Sequence, residues 1–316
     1  MNRNFLKTVA AITVALATQV SAGFIDITGG YNVLTFGDFS SYNDQTWGSL
    51  AASGNVKIED SYSIGTQWAH TNNYPENALV AGGNVELTGS GSVWGGISAG
   101  GTINTSQTVH GDTKEGVDVN NIFNFDNAKS QLKAISTHIA NETALSVEVK
   151  WGGMFFVGMS DADVNYFTVD ADKFNGINYL QFENIGNSKV VITVTGKDVR
   201  LKPEGNGHFG FNGITVNSAS NILWNISEAT SLTVGDAIGT IIALDAKVAL
   251  EGGNIYGDLI SGSVTGRSEI HIAHYNGDFN PPTPPPSVPE SSTTTMLVAG
   301  AVFMLILYRK NAFARK

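Results

Sequence analysis

Short apolar runs punctuated by glycine and asparagine recur along this chain at a fixed interval. Three units read LAASGNVKI from Leu50, LVAGGNVEL from Leu79 and ISAGGTINT from Ile97. The second and third lie 18 residues apart; the first lies 29 before the second, one 18-residue unit plus an 11-residue insertion around Trp68 to Tyr74. Towards the other end, NILWNI from Asn221, GTIIAL from Gly239 and GDLISG from Gly257 follow at successive offsets of 18. Short strands between tight turns at such a period predict coils of a β-solenoid, in which no coil buries its apolar face alone and stacking supplies the core. The common offset predicts Leu223, Ile241 and Leu259 as one inward ladder, with Trp224, Ile242 and Ile260 as its neighbour. About 110 residues separate the two blocks, which predicts a discontinuous solenoid built from both ends of the chain.

Between the blocks the period changes. Phe125, Ala128, Leu132, Ile135 and Ile139 form an apolar stripe at helical spacing, predicting a helix of about 15 residues packed along the solenoid. Asn124 or Asp126 can cap its start. From 145 to 215, strand-like runs (Met154 to Met159, Val190 to Thr195) alternate with turns. The expected class is therefore mainly β, a discontinuous β-solenoid of 18-residue coils with one helix alongside.

The termini read as targeting segments. Arg3 and Lys7 precede an apolar core from Val9 to Val20, and Val20-Ser21-Ala22 supplies small residues for cleavage between Ala22 and Gly23. Residues 1–22 are thus expected to be a signal peptide and 23–280 the exported domain. Pro281 to Pro286 lie in a proline-rich linker, 281–287, which favours extended polyproline II geometry. The last segment, 288–316, runs Val288-Pro289-Glu290-Ser291, an apolar stretch from Met296 to Tyr308, then Arg309, Lys310, Arg315 and Lys316. That order resembles the PEP-CTERM sorting signal of Gram-negative bacteria, with Ser291 where the motif usually has a second proline. The resemblance implies export, transient retention in the inner membrane and processing by an exosortase-type enzyme at Val288, Pro289 and Glu290. The apolar run is shorter than the ~20 residues of a free-standing span, and the basic residues after it favour a cytoplasmic C-terminus.

Charge narrows the partners. Without the targeting segments, 12 basic face 27 acidic side chains, a net charge of −15, which repels nucleic acid and anionic lipid. With no cysteine, neither a lipid anchor on cysteine nor a disulfide framework is available.

The stretch Asn32-Val33-Leu34-Thr35-Phe36-Gly37-Asp38-Phe39, the Gly-Gly-Asn units, Leu132-Lys133-Ala134-Ile135-Ser136 and Asn221-Ile222-Leu223-Trp224-Asn225, in that order, resemble the choice-of-anchor A domain of bacterial surface proteins. The likeness runs from about Tyr31 to Phe279. The Leu-Trp-Asn and Gly-x-Ile-Ile-Ala rungs are also similar to those of ice-binding β-solenoids. The resemblance implies a surface-located solenoid and carries no catalytic motif.

Several patterns suggest chemistry. Gly96-Ile97-Ser98-Ala99-Gly100 matches a nucleophile elbow, but Ser98 aligns with Val80 of the preceding coil, which marks it as a coil residue. Gly205 to Gly210 matches G-x-G-x-x-G without the strand and helix that a dinucleotide site requires. Asp161, Asp163, Asn165 and Asp172 have the spacing of a Ca²⁺ loop. Tyr166 replaces its glycine and Asp172 its closing glutamate, so two polar turns around a strand from Tyr166 to Val169 is the favoured reading. His271 and His274, near Glu269 and Asp278, lie three apart on an extended segment and face opposite sides. Arg200 and Arg267 are the passenger's only arginines, and no carboxylate cluster suits glycan cleavage. Thr193-Val194-Thr195 does not recur at offset 18, so it supplies no ice-binding ladder. Tyr42, Trp47, Trp68, Tyr74 and Trp94 crowd the N-terminal third and suit sugar contact.

These readings converge on an exported surface or matrix protein, non-enzymatic and adhesive or structural, with no required cofactor and Ca²⁺ as a candidate. The expected partners are an exosortase-type enzyme, the membrane through the C-terminal segment, and exopolysaccharide or a surface protein. A dedicated glycan- or ice-binding solenoid is the alternative; a glycan-active enzyme is a third.

Overall fold

The computed structural model describes residues 23–203 and 209–279. The signal segment, the proline-rich linker, the sorting motif and most of the Gly205 to Gly210 loop lie outside the described residues.

The repeats fold as a β-solenoid. One 21-stranded sheet winds through the described residues with parallel strand pairing. Its first face runs, strand beside strand, from Val164–Asp170 through Lys189–Thr195, Ile222–Asn225 and the starts of Thr240–Tyr256 and Leu259–His271. It continues through Val33–Thr35, Leu50–Ala52, Leu79–Ala81 and Ile97–Ala99 to Thr113–Lys114. The last coil therefore pairs with the first, Leu259 beside Val33 and Ile260 beside Leu34. Strands from early and late in the described residues build one stack.

Both expected ladders are out by a residue at the Ile222–Asn225 rung, with Asn225 rather than Trp224 beside Ile242 and Ile260. Trp224, not Leu223, stands in line with Ile241 and Leu259, because the step from Trp224 to Ile241 spans 17 residues while the next spans 18. A one-residue slip moves every side chain to the other face. Trp224 is fully buried inside and donates its indole N–H to Ile238 O at 3.0 Å. Leu223 instead joins Ile242 and Ile260 on the outer surface of this face.

That outer surface is covered by a helix. Phe24–Thr28 (α1) precedes the first coil, and Phe125–Ala140 (α2) carries all five predicted apolar positions as buried residues. Asn124 caps α2 by accepting from the Asn127 N–H at 2.9 Å. Leu132, Ile135 and Ile139 pack on Leu34, Ala51, Val80, Ile242 and Ile260. Ser136 donates to Asn225 Oδ1 at 2.6 Å, and the Asn225 amide donates back to Ser136 O.

The corner between the first and second faces explains the repeated glycine-asparagine pair. Asp38 Oδ1 accepts from the Asn55 N–H at 2.7 Å, Asn55 Oδ1 from the Asn84 N–H at 2.9 Å, and Asn84 Oδ1 from the Thr102 N–H at 2.9 Å. Each side chain thereby caps the next coil's backbone. A Cβ on Gly54, Gly83 or Gly101 would collide with the asparagine or aspartate oxygen of the coil before it.

A smaller four-stranded sheet, Val147–Lys150, Gly153–Val157, Tyr179–Glu183 and Gly210–Asn212, packs at the Val164–Asp170 end, with Phe156 against Phe167 at 5.2 Å. The short helix Ala171–Phe174 (α3) begins at Asp170, whose carboxylate accepts from the Asp172 N–H. Among the described residues, no helix is long and apolar enough to cross a membrane.

Candidate functional site

The third face gathers side chains from early and late in the described residues. Its inward ladder is Ile255, Ile270, Thr46, Ile64, Val93 and Val109. In an extended strand the next residue points outward. The outward column is therefore Tyr256, His271, Trp47, Gly65, Trp94 and His110. On the other side of the inward ladder stands a polar column: Asn254 beside Glu269, Gln45 beside Ser63, and Ser92 beside Thr108.

The rings contact one another along the solenoid axis. Tyr256 and His271 stack at 4.4 Å with planes 14° apart, and Trp47 leans on His271 at 4.6 Å. Trp94 and His110 stack at 3.9 Å and 6°. Stacked rungs turn ring edges outward and cover one another's faces. The exception is the rung between Trp47 and Trp94, where Gly65 has no side chain. That rung is filled from the insertion, whose Trp68 ring lies where a side chain on Gly65 would project.

The insertion in the repeat lies over this gap. It begins at the 3-10 turn Thr66–Trp68, and the Trp68 ring sits above Gly65, where a Cβ would meet it at 2.9 Å. Gly65 also needs its φ of 77°, in the left-handed region that glycine tolerates. Tyr74 comes to 6.1 Å from Trp94 and 5.3 Å from His110, and His70 to 5.8 Å from Trp94. His70 and Asn72 both hold positive φ, a conformation that is uncommon outside glycine and often found at functional loops.

Carboxylates border the column. Glu269 Oε1 accepts from the Trp47 indole N–H at 2.8 Å and from Gln45 Nε2 at 2.6 Å. Burial alone would raise its pKa, but these bonds and nearby His271 outweigh it and hold the carboxyl below the ordinary glutamate value. Burial pushes His271 down, with Glu269 opposing. Beyond Trp94, Glu76 pairs with Lys114 at 2.5 Å, and that bond lowers the Glu76 pKa.

The other sequence candidates fall elsewhere. Tyr42 is exposed on the second face beside Glu59. The calcium-spaced residues do not converge: Asn165 is buried and spends its amide on the Met159 backbone at 2.8 and 3.1 Å, and the strand Val164–Asp170 separates Asp161 and Asp163 from Asp172. Among the described residues, no group of three or more His, Cys, Asp or Glu is placed to hold a metal. His271 and His274 have separate partners, since His274 Nδ1 bonds the fully buried Asp258 at 2.9 Å. Ser98 lies beside Val80, buried, its hydroxyl donated to Asn77. Thr193 is buried at the base of α2 and bonded by the Asn225 amide. Arg200 and Arg267 stand on separate strands of the second face.

His110 and Tyr256 were not among the sequence candidates, and His271 was considered there only for a metal pair with His274. A signal existed for His110, which follows Trp94 at the 16-residue interval that also pairs Val93 with Val109.

The described residues thus form a parallel β-solenoid with a helix along one face and an aromatic column on another. The chain belongs to the family described as "Putative Ice-binding-like adhesive domain", whose model matches residues 24–272. Among solved structures it is similar to the ice-binding protein from the Antarctic ascomycete Antarctomyces psychrotrophicus, at 13% identity and a TM-score of 0.33, covering 80% of this chain and 98% of that one. No curated protein matches it.

Proposed function

We propose that this protein is an exported, non-enzymatic adhesin whose third solenoid face holds saccharide of the surrounding matrix. The observation that carries this reading is the outward aromatic column of Tyr256, His271, Trp47, Trp94 and His110, to which the insertion adds Trp68 and Tyr74. Pyranose rings have apolar C–H faces and polar rims. An aromatic column beside amides and hydroxyls suits both. Binding of this kind requires no cofactor, and a chelator is expected to leave it unchanged. The test is retention of the full chain on the organism's own exopolysaccharide, with Trp47→Ala and Trp94→Ala expected to abolish it.

Delivery completes the proposal. The N-terminal segment directs export, and an exosortase-type enzyme acts at Val288, Pro289 and Glu290 to release a membrane-held precursor to the surface or matrix. Replacing Pro289 and Glu290 with alanine should leave the precursor in the membrane fraction, read by mass and fractionation.

One observation favours a second reading, ice binding. On the second face Thr233, Ala249 and Thr265 align in register, and Ser40 follows in the next coil. This column of small side chains is bounded by Arg200 at one end and by Lys57 and Glu86 at the other. Thermal hysteresis in a freezing assay that Thr265→Tyr removes would support it.

A further inference from the structure

We infer that signal removal builds a latch: the α-ammonium freed at Gly23 pairs with Asp26 and Asp278 and fastens the start of the domain to its last segment. This rests on the export reading above and goes beyond it in saying what cleavage between Ala22 and Gly23 does to the fold.

The place is prepared by packing. Phe24 of α1 meets Tyr275 at 5.8 Å and Phe279 at 6.2 Å, both edge-on, while Tyr275 and Phe279 stack at 5.4 Å. All three rings are buried, so the first turn of α1 and residues 275–279 are held together before any charge is considered. Two carboxylates then face Gly23, the N-cap of α1. Asp26 Oδ2 accepts the Gly23 backbone N–H at 3.1 Å, and Asp278 Oδ1 lies 3.9 Å from where a Cβ on Gly23 would stand.

The nearby cation is already engaged. Burial lowers the Lys189 pKa, with Asp278 opposing, and the Lys189 ammonium donates to the carboxamides of Asn221 and Asn276. Asp278 makes no hydrogen bond or close ion pair among the described residues. Burial raises the pKa of Tyr275 and of its neighbour Tyr166, so both phenols stay neutral. While Gly23 is joined to Ala22, its nitrogen is a neutral amide with one N–H, and Asp26 uses it. Hydrolysis places the hydroxyl of water on the Ala22 carbonyl carbon. The Gly23 nitrogen leaves with the other hydrogen of water and takes the proton of the new carboxylic acid. The resulting ammonium has three donors, enough for both carboxylates, and its charge strengthens each bond. The carboxylates also offset the repulsion between a cation and the N-terminal end of a helix.

The test expresses the full chain, with its own N-terminal segment, in an exporting host and isolates the processed form in mild detergent. Intact mass should place its start at Gly23. The pH dependence of acylation reads the α-amino group, which ordinarily titrates at roughly 7.7–8.0. In the processed chain it should hold its proton about tenfold more tightly, each exposed pair supplying about threefold. Asp278→Asn should reduce the gain to about threefold and lower the melting temperature at neutral pH. A raised folded pKa gives stability that is lost as pH rises through it, so that difference in melting temperature should close by about pH 10, where the amine is neutral. A purely structural role for Asp278 would leave the difference unchanged with pH. An α-amino group that titrates in the ordinary range, or one unmoved by Asp278→Asn, overturns the latch and leaves export standing. A processed chain that begins at another residue also overturns it. A chain that keeps residues 1–22 removes the export reading and this inference together.

Discussion

Asn55 Oδ1 accepts the backbone N–H of Asn84 at 2.9 Å, directly over Gly83, the residue before it. The pair shows why asparagine and glycine travel together through the coils. The carboxamide satisfies a corner N–H that strand pairing leaves open, and only glycine leaves room for it.

This makes a coupling prediction. Gly83→Ala should destabilise the fold by about 2 kcal/mol through steric conflict with the Asn55 side chain, and Asn55→Ala by about 1 kcal/mol through the lost bond. Combined, they should cost less than their sum, because removing the carboxamide makes room for the new methyl. Gly82→Ala should gain nothing from Asn55→Ala, since its Cβ meets the Ser53 backbone instead. Denaturant melts of the four variants check this.

Trp224 offers a second test, of register. With its ring inside the solenoid, Trp224→Ala should cost about 4 kcal/mol. Trp224→Phe should lose less, chiefly the bond to Ile238 O. Had Leu223 faced inward as the regular 18-residue offset implies, Trp224 would lie under α2, and shortening α2 would expose it. Tryptophan fluorescence of an Ile135→Ala, Ile139→Ala variant should show no shift attributable to Trp224.

Asn225 and Ser136 form a buried polar pair in an otherwise apolar contact between α2 and the first face. Asn225→Ala alone should cost about 2 kcal/mol, because the Ser136 hydroxyl loses its buried acceptor. Asn225→Leu with Ser136→Ala should be near neutral, extending the Ile242, Ile260 and Leu34 row. Thermal unfolding of the single and double variants distinguishes the two outcomes.

The seam between the last and first coils should be pH-sensitive. The Asp258 hydrogen bond raises the His274 pKa above its ordinary 6.5, while burial raises Asp258 above 3.8. A raised folded pKa means stability that is full below the unfolded value and lost as pH rises through the folded one. His274 therefore contributes fully below 6.5 and progressively less at more alkaline pH; Asp258 adds a loss of the same sign starting from more acid conditions. Melting temperature should fall as pH climbs from 6.5, and His274→Gln should flatten that slope. An unchanged slope would contradict the assignment.

Much of the fold was legible because a solenoid repeats its own solution. The period in LVAGGNVEL and ISAGGTINT gave the coils, and the Phe125 to Ile139 stripe gave α2. The slip at Trp224 was not legible, since 17- and 18-residue coils differ only in a turn, and a single residue there inverts the face. The site was half visible. Trp47, Trp68, Tyr74 and Trp94 stood out by composition and by the insertion. His271 could not be joined to Trp47 from the sequence, because their contact depends on the two chain ends closing into one stack. Nor did composition separate Tyr42, which points away on the second face, from the tryptophans of the third.

The most direct test of the account compares two faces of one molecule. Binding of the full chain to immobilised exopolysaccharide should be lost in Trp47→Ala, Trp94→Ala and kept in Thr233→Tyr, Thr265→Tyr. Retention by the tryptophan variant, with loss in the threonine variant, would place the adhesive surface on the second face and contradict the assignment made from Gly65 and its neighbours.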